Sequence, residues 1–176
     1  MINDIYDYIE SGFKVFGLHG STGGACNCGD AECTAILKHP IMSNWQNVPN
    51  WSDEQIECFD EMGHFNSGFG VLVKGFLVVD VDARNGGVPS FKKLCKDVPS
   101  LLECAFIVNT GSGGGSQHWY FKLGDDDKTK SLMQTNKKYA GIDFKTSGFV
   151  VGSGSLHESG SNYETVKGYP QDVGFA

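Results

Sequence analysis

The chain has 176 residues, enough for one ordinary domain with a sizeable core, and its 40% hydrophobic and 20% charged residues exclude a disordered tail. The formal net charge of −7 counts against a protein whose whole surface grips nucleic acid, while a local basic groove or a cation-neutralised carboxylate cluster stays open. Six cysteines are too few for a disulfide scaffold, and 24 glycines predict frequent tight turns. In chain order, Asn3 is placed to cap a helix through Ile5, Tyr8, Ile9 and Phe13. With Asp4, Asp7 and Glu10 in that segment no signal peptide is expected there, since one needs a basic start and an unbroken apolar run. Apolar stretches such as Phe76 to Val79 are far short of the roughly 20 residues of a membrane span. A reducing, cytoplasmic setting is expected.

Lys14 to Leu18 reads as a strand entering a cysteine-rich segment. Ser52 starts a second helix, with Gln55 placed for a capping box, Ile56, Phe59 and Met62 on one face and five acids on a solvated face. From Phe69 the period changes. Phe69 to Val73, a turn at Lys74-Gly75, and Phe76 to Val81 read as a hairpin of two buried strands. Ser90 to Lys96 reads as a short helix. Ala105 to Thr110, Trp119 to Phe121, Gly141 to Lys145, Phe149 to Val151 and Tyr163 to Val166 are further strand candidates. Strands outnumber helices and often follow without a crossover, so the fold class expected is α+β with a mixed or antiparallel sheet. No linker divides the chain, and a single domain over 1–176 is expected.

Four groups of residues are candidates for chemistry. Asp80 and Asp82 end the apolar run Phe76 to Val79, and strand residues i and i+2 share a face about 6.6 Å apart. Two such carboxylates repel unless cations lie between them, which suits a pair of divalent ions, although solvated aspartates at an exposed strand end are the plainer alternative. The second group is the glycine loop Gly111 to Gly115 followed by Ser116 and His118 on one strand face. Such a loop can offer backbone N–H groups to an anion, or be an ordinary hairpin loop with an incidental histidine. Asp143 and Lys145 share a face of a third strand, and a second small-residue loop carries His157. Cys26, Cys28, Cys33 and His39 supply three thiolates and an imidazole, a donor set that closes a tetrahedral structural Zn²⁺ site within a loop at about 23–40. Cys58, Cys95 and Cys104 read as small buried hydrophobes.

Together these segments resemble the bifunctional DNA primase/polymerase (Prim-Pol) N-terminal domain of the archaeo-eukaryotic primase superfamily. The resemblance rests on Cys26-x-Cys28, Cys33 and Lys38-His39-Pro40. It rests equally on Val78 to Gly87 around Asp80 and Asp82, on Thr110 to Gly114 with His118 to Phe121, on Gly141 to Lys145, and on Gly154 to His157. That family's motifs Asp-x-Asp, Ser-x-His and hydrophobic-Asp fall on Asp80 and Asp82, Ser116 and His118, and Ile142-Asp143. Leu37 stands where the family often has glycine.

The resemblance implies an RRM-like catalytic sheet beside a smaller N-terminal zinc-containing α/β subdomain. It also implies template-directed nucleotidyl transfer with two Mg²⁺ or Mn²⁺ ions, on Asp80, Asp82 and Asp143, in replication of a plasmid, phage or integrated element. His118 is expected in the catalytic set, and Arg84, Ser116, His118, Lys145 and His157 at the triphosphate of the incoming nucleotide. Expected partners are a single-stranded template with its primer, dNTP or NTP, and a helicase or helical priming region in the same or a neighbouring polypeptide. Lys128, Lys130, Lys137 and Lys138 form the densest basic stretch, suited to a template backbone or to solvent. Two other functions suit parts of this pattern: a metal-dependent nuclease, and a non-catalytic single-strand-binding module.

Overall fold

The apolar runs around Phe69–Leu72 and Phe76–Val81 become inner strands, each paired at both edges. A computed structural model describes residues 1–124 and 138–175. It is a mixed α+β structure in which every pairing between the described strands is antiparallel. The chain divides into two compact units, Met1–Leu72 with Phe149–Tyr163, and Val73–Gly148 with Glu164–Ala176.

In the first unit, α1 (Ile2–Glu10) buries Ile5 and Tyr8. The ring of Tyr8 meets Phe13 and Phe69 edge-on, each with centroids 5.4 Å away. Asn3 lies inside this helix rather than at its cap, which is Met1, and Phe13 lies beyond its end at Glu10. Phe13 nevertheless joins the same core from the loop, so apolar spacing alone overstated the helix. β1 (Lys14–Gly17), β4 (Phe69–Leu72) and β9 (Phe149–Val151) form a three-stranded sheet with β4 in the middle. The short hairpin β2 (Ser21–Thr22) and β3 (Ala25–Cys26) turns through Gly23 and Gly24, at φ +59° and +82°. α2 (Asp53–Glu61) begins at Ser52 with the expected capping box to Gln55.

The second unit is built on a five-stranded sheet in the order β10-β6-β7-β5-β8. Its strands are β5 (Phe76–Val81), β6 (Phe106–Asn109), β7 (Gln117–Lys122), β8 (Ile142–Lys145) and β10 (Glu164–Lys167). α3 (Gly87–Asp97) starts three residues earlier than its sequence pattern suggested and connects β5 to β6. Both β5 and β6 run antiparallel to β7, so they are parallel to each other with β7 between them. Leu77, Val79 and Val81 of β5, Phe121 and Ile142 form one core with Leu94 of α3, and Phe91 and Trp119 pack against it. This core fixes which side chains of each strand point away from α3.

The predicted hairpin of Phe69–Val73 with Phe76–Val81 does not form. β4 and β5 belong to different sheets, β4 between β1 and β9 and β5 between β7 and β8. The turn is present, with the Phe76 N–H donating to the Val73 carbonyl at 2.9 Å, but it connects two sheets. Both runs are buried along almost their whole length, and each finds partners at both edges in a different sheet.

Candidate active site and metal centre

The period-2 alternation of β5 sends Leu77, Val79 and Val81 into the α3 core and Asp80 to the opposite face. The ladder then decides its neighbours. In register, Asp80 lies directly across from His118 on β7 and from Asp143 on β8. His118 Nε2 is 3.7 Å from Asp80 Oδ1, and the histidine is buried. Lys145, two residues past Asp143 and therefore on its face, places Nζ 3.5 Å from Asp80 Oδ2 and 4.0 Å from Asp143 Oδ2. Three strands thus bring two carboxylates, an imidazole and an ammonium to one patch.

Asp82 departs from the simple strand picture. β5 ends at Val81, and Asp82 caps a short 3₁₀ turn, Ala83–Asn85. Its Oδ1 accepts from the Arg84 backbone N–H at 3.0 Å and from Arg84 Nε at 3.3 Å, and its Oδ2 accepts from Asn85 Nδ2 at 2.7 Å. Partial burial disfavours the charged carboxylate, but these donors from Arg84 and Asn85 outweigh it and hold the group below its ordinary range. Arg84, the expected phosphate ligand, is here mostly exposed and paired with Asp82.

Ser116 is buried, and its Oγ accepts from the Ala83 backbone N–H at 2.9 Å. In the preceding glycine loop, the Gly113 N–H donates to the Thr110 carbonyl and the Ser116 N–H to that of Gly113. Two of the N–H groups expected to face an anion are therefore bonded within the loop.

The cysteine cluster lies in the first unit. Cys26, Cys28, Cys33 and His39 bring one ligand atom each to within 4.8 Å of one another, and Cys33 Sγ is 3.1 Å from His39 Nδ1. A tetrahedron with Zn–S near 2.3 Å has edges of about 3.8 Å, so a small contraction would close the site. The spacing is made by turns: Gly29 at φ +86° separates Cys28 from Asp30, whose backbone N–H favours the Cys28 thiolate and lowers its pKa. Burial, with smaller contributions from Cys28 and Cys33, pushes the Cys26 thiol up to about 11. Soft donors, four in number and with no carboxylate among them, fit zinc. Leu37 adopts φ +59° with its side chain buried. Glycine would occupy that backbone conformation without strain, and Leu37 instead exchanges about 1–2 kcal/mol of strain for buried apolar area.

His157 belongs to the first unit, buried, with its Nδ1 accepting from the Ser159 N–H at 3.1 Å. A ring nitrogen that accepts from an amide is unprotonated, which assigns the proton of the neutral ring to Nε2. Lys128, Lys130 and Lys137 lie outside the described residues. Lys138 binds Asp97 Oδ2 at 2.9 Å, and Tyr139 Oη donates to the same atom at 2.6 Å.

Sequence reasoning assigned no individual role to Asn85, Gly87 and Gly141, although all three lie in the segments that carry the resemblance. The signal available was their adjacency to the aspartates: the Gly141 carbonyl accepts from the Asp82 N–H at 2.8 Å, and the Gly87 N–H donates to the Asp82 carbonyl at 2.8 Å.

No curated protein matches the chain. The model of one protein family, the N-terminal domain of bifunctional DNA primase/polymerases, matches residues 6–173 and so spans both units. A match over nearly the full length, reaching from α1 through the cysteine cluster and all the strand-borne acids, places this chain in the Prim-Pol family.

Proposed function

We propose that this chain is a template-directed DNA primase/polymerase catalytic domain over 1–176, adding nucleotides from dNTP or NTP to a primer 3′-hydroxyl. Family membership supports a primase/polymerase-type activity on DNA and nucleotides. The observation that carries the finer reading is the register of β5, which sets Asp143 and His118 on either side of Asp80 with Lys145 3.5 Å away. Asp80, Asp143 and, once its carboxylate leaves Arg84 and Asn85, Asp82 would hold two Mg²⁺ or Mn²⁺ ions; hard carboxylate oxygens suit these cations. The ions would supply polarisation of the attacking hydroxyl and charge for the departing pyrophosphate. His118 and Lys145, beside the acids, would bind the triphosphate and orient it, with Arg84 and Ser116 at the adjoining loop and His157 assigned from the family pattern.

The parallel pair β5 and β6 with α3 between them and β7 inserted is a split β-α-β arrangement, which supports an RRM-like catalytic sheet. Cys26, Cys28, Cys33 and His39 would carry one structural Zn²⁺ in the smaller N-terminal part. Replication of a plasmid, phage or integrated element, with a helicase or helical priming region as partner, is the biological setting this reading favours. Among the described residues no helix is long and apolar enough to cross a membrane.

The test is extension of a labelled primer-template with Mn²⁺ or Mg²⁺, with and without dNTP. The chain should extend the primer, and Asp80→Ala should lower incorporation about a thousandfold or more, since a metal's charge stabilisation amounts to several kcal/mol at 1.4 kcal/mol per tenfold. Shortening of the primer would assign hydrolysis instead. Near-normal extension by Asp80→Ala would remove the acid patch from the reaction.

A further inference from the structure

We infer that Ser116 and Gly87 are positioning residues that fix the loop carrying Asp82 and Arg84 before any nucleotide binds. The inference rests on the reading of Asp82 as part of the metal site. The loop Asp82–Gly87 leaves the end of β5 and is held from both neighbouring strands. From the β7 side, the buried Ser116 Oγ accepts the Ala83 N–H at 2.9 Å. From the β8 side, the Gly141 carbonyl accepts the Asp82 N–H at 2.8 Å. Two successive amides are thus tied to opposite flanks. The Asp82 carbonyl is in turn bound by the N–H groups of Gly87, at 2.8 Å, and Asn85, at 3.2 Å.

Steric fit closes the same loop. A Cβ on Gly87 would lie 2.5 Å from the Asp82 oxygen, 2.6 Å from the Gly141 oxygen and 2.7 Å from the Asp82 nitrogen. All three are backbone atoms, so none can swing aside as a flexible side chain would. Gly87 does not lie in the left-handed region. Space, not backbone conformation, therefore excludes a side chain there, and alanine must push Asp82 and Gly141 apart. Because Gly141 leads directly into β8 and Asp143, this packing couples the Asp82 loop to the strand bearing the third acid.

A hydroxyl that holds Ala83 and one that binds a triphosphate have different consequences when removed. If Ser116 acts through the loop, its loss disturbs the metal site before any nucleotide is present. If it acts on the nucleotide alone, metal binding without nucleotide is untouched. The experiment is Mn²⁺ binding to the full chain with no nucleotide, read from the electron paramagnetic resonance of free Mn²⁺, for the wild type, Ser116→Ala and Gly87→Ala. Mn²⁺ is chosen because carboxylates prefer it and thiolates do not. Single-nucleotide extension over a dNTP titration accompanies it, and thermal melting checks that each variant is folded.

Ser116→Ala should bind Mn²⁺ about tenfold more weakly, because it leaves the Ala83 N–H without its partner. It should lower kcat for dNTP incorporation. Gly87→Ala should show the same pattern more strongly, and if it does not fold, Ser116→Ala alone decides. Wild-type Mn²⁺ binding by a folded Ser116→Ala, with or without a raised KM for dNTP, would overturn the inference. Failure of the wild type itself to bind Mn²⁺ would overturn the metal reading beneath it.

Discussion

The two clusters of this molecule are held in different ways. Asp80, Asp143 and His118 are cross-strand partners, so their spacing follows from the ladder hydrogen bonds of β5, β7 and β8. Cys26, Cys28, Cys33 and His39 sit within fourteen residues of turns and one two-residue strand. The acids share Lys145 as a counter-ion, whereas burial makes the Cys26 thiol harder to ionise. A site on a sheet is preorganised by backbone whatever it binds; a site on a loop needs its ligand to become rigid.

The sharpest way to break this contrast is to remove metal from both clusters at once. A structural zinc contributes about 10–16 kcal/mol in small zinc-dependent folds, comparable with the whole stability of a domain. Purified chain should carry close to one zinc. A strong chelator should then abolish amide-exchange protection around residues 18–40, while β5 and β7 keep theirs. Equal loss of protection in both regions, or none in either, would erase the distinction.

What the sequence revealed of these two regions differs for the same reason. The acids were legible because period 2 along a strand assigns faces without knowledge of partners, and Asp143 with Lys145 came out on one face as alternation required. Partnership itself was not legible. Phe69 to Val73 and Phe76 to Val81 look like a hairpin because a Lys-Gly turn separates two apolar runs, and only the competition of β1, β9, β7 and β8 for their edges rules it out. What alternation did not reveal is that Asp82, just past the end of the strand, accepts from the Arg84 and Asn85 that follow it, a local hydrogen-bonding choice. The cysteine cluster was legible from ligand chemistry alone, yet the left-handed Leu37 that shapes its loop carries no signal in composition.

A smaller effect tests the proposed division of labour inside the sheet. His118 and Lys145 lie beside Asp80 but carry or accept positive charge, so they belong with the phosphates of the incoming nucleotide. A charge-assisted hydrogen bond contributes about 1.5–3 kcal/mol. His118→Ala and Lys145→Ala should therefore lower kcat/KM for dNTP roughly ten- to a hundredfold, chiefly through KM, with template binding unchanged. Removing Lys145 also leaves Asp80 and Asp143 without their shared counter-ion, so this variant should need less Mn²⁺ for half-maximal binding. A loss of template affinity with normal nucleotide binding would move both residues to the DNA.

The smallest expected effect concerns the approach to β8, where a clasp rather than the ladder holds the chain. Asp97, at the end of α3, accepts the Tyr139 hydroxyl at 2.6 Å and the Lys138 ammonium at 2.9 Å. Those two hydrogen bonds, Tyr139 first, hold its carboxyl below the usual aspartate range, and hydrogen bonding with Tyr139 and with Asp97 holds Lys138 above the usual lysine range. A carboxyl whose pKa is depressed on folding stabilises the folded state above its unfolded pKa, near 3.9, and loses that contribution as pH falls through the folded value. The pair is open to solvent, so the stabilisation is modest and screened by salt. Asp97→Asn should lower the melting temperature by no more than a few degrees at pH 7, and the two melting curves should converge as pH drops below about 4. Extension activity at neutral pH should stay within about twofold of the wild type, because the register of β5 and β8 holds Asp80 and Asp143 without help from the clasp. A large loss of activity in Asp97→Asn would show that the ladder alone does not set the acids, and that the segment Tyr139–Gly141 must be pulled tight before Asp143 reaches its place.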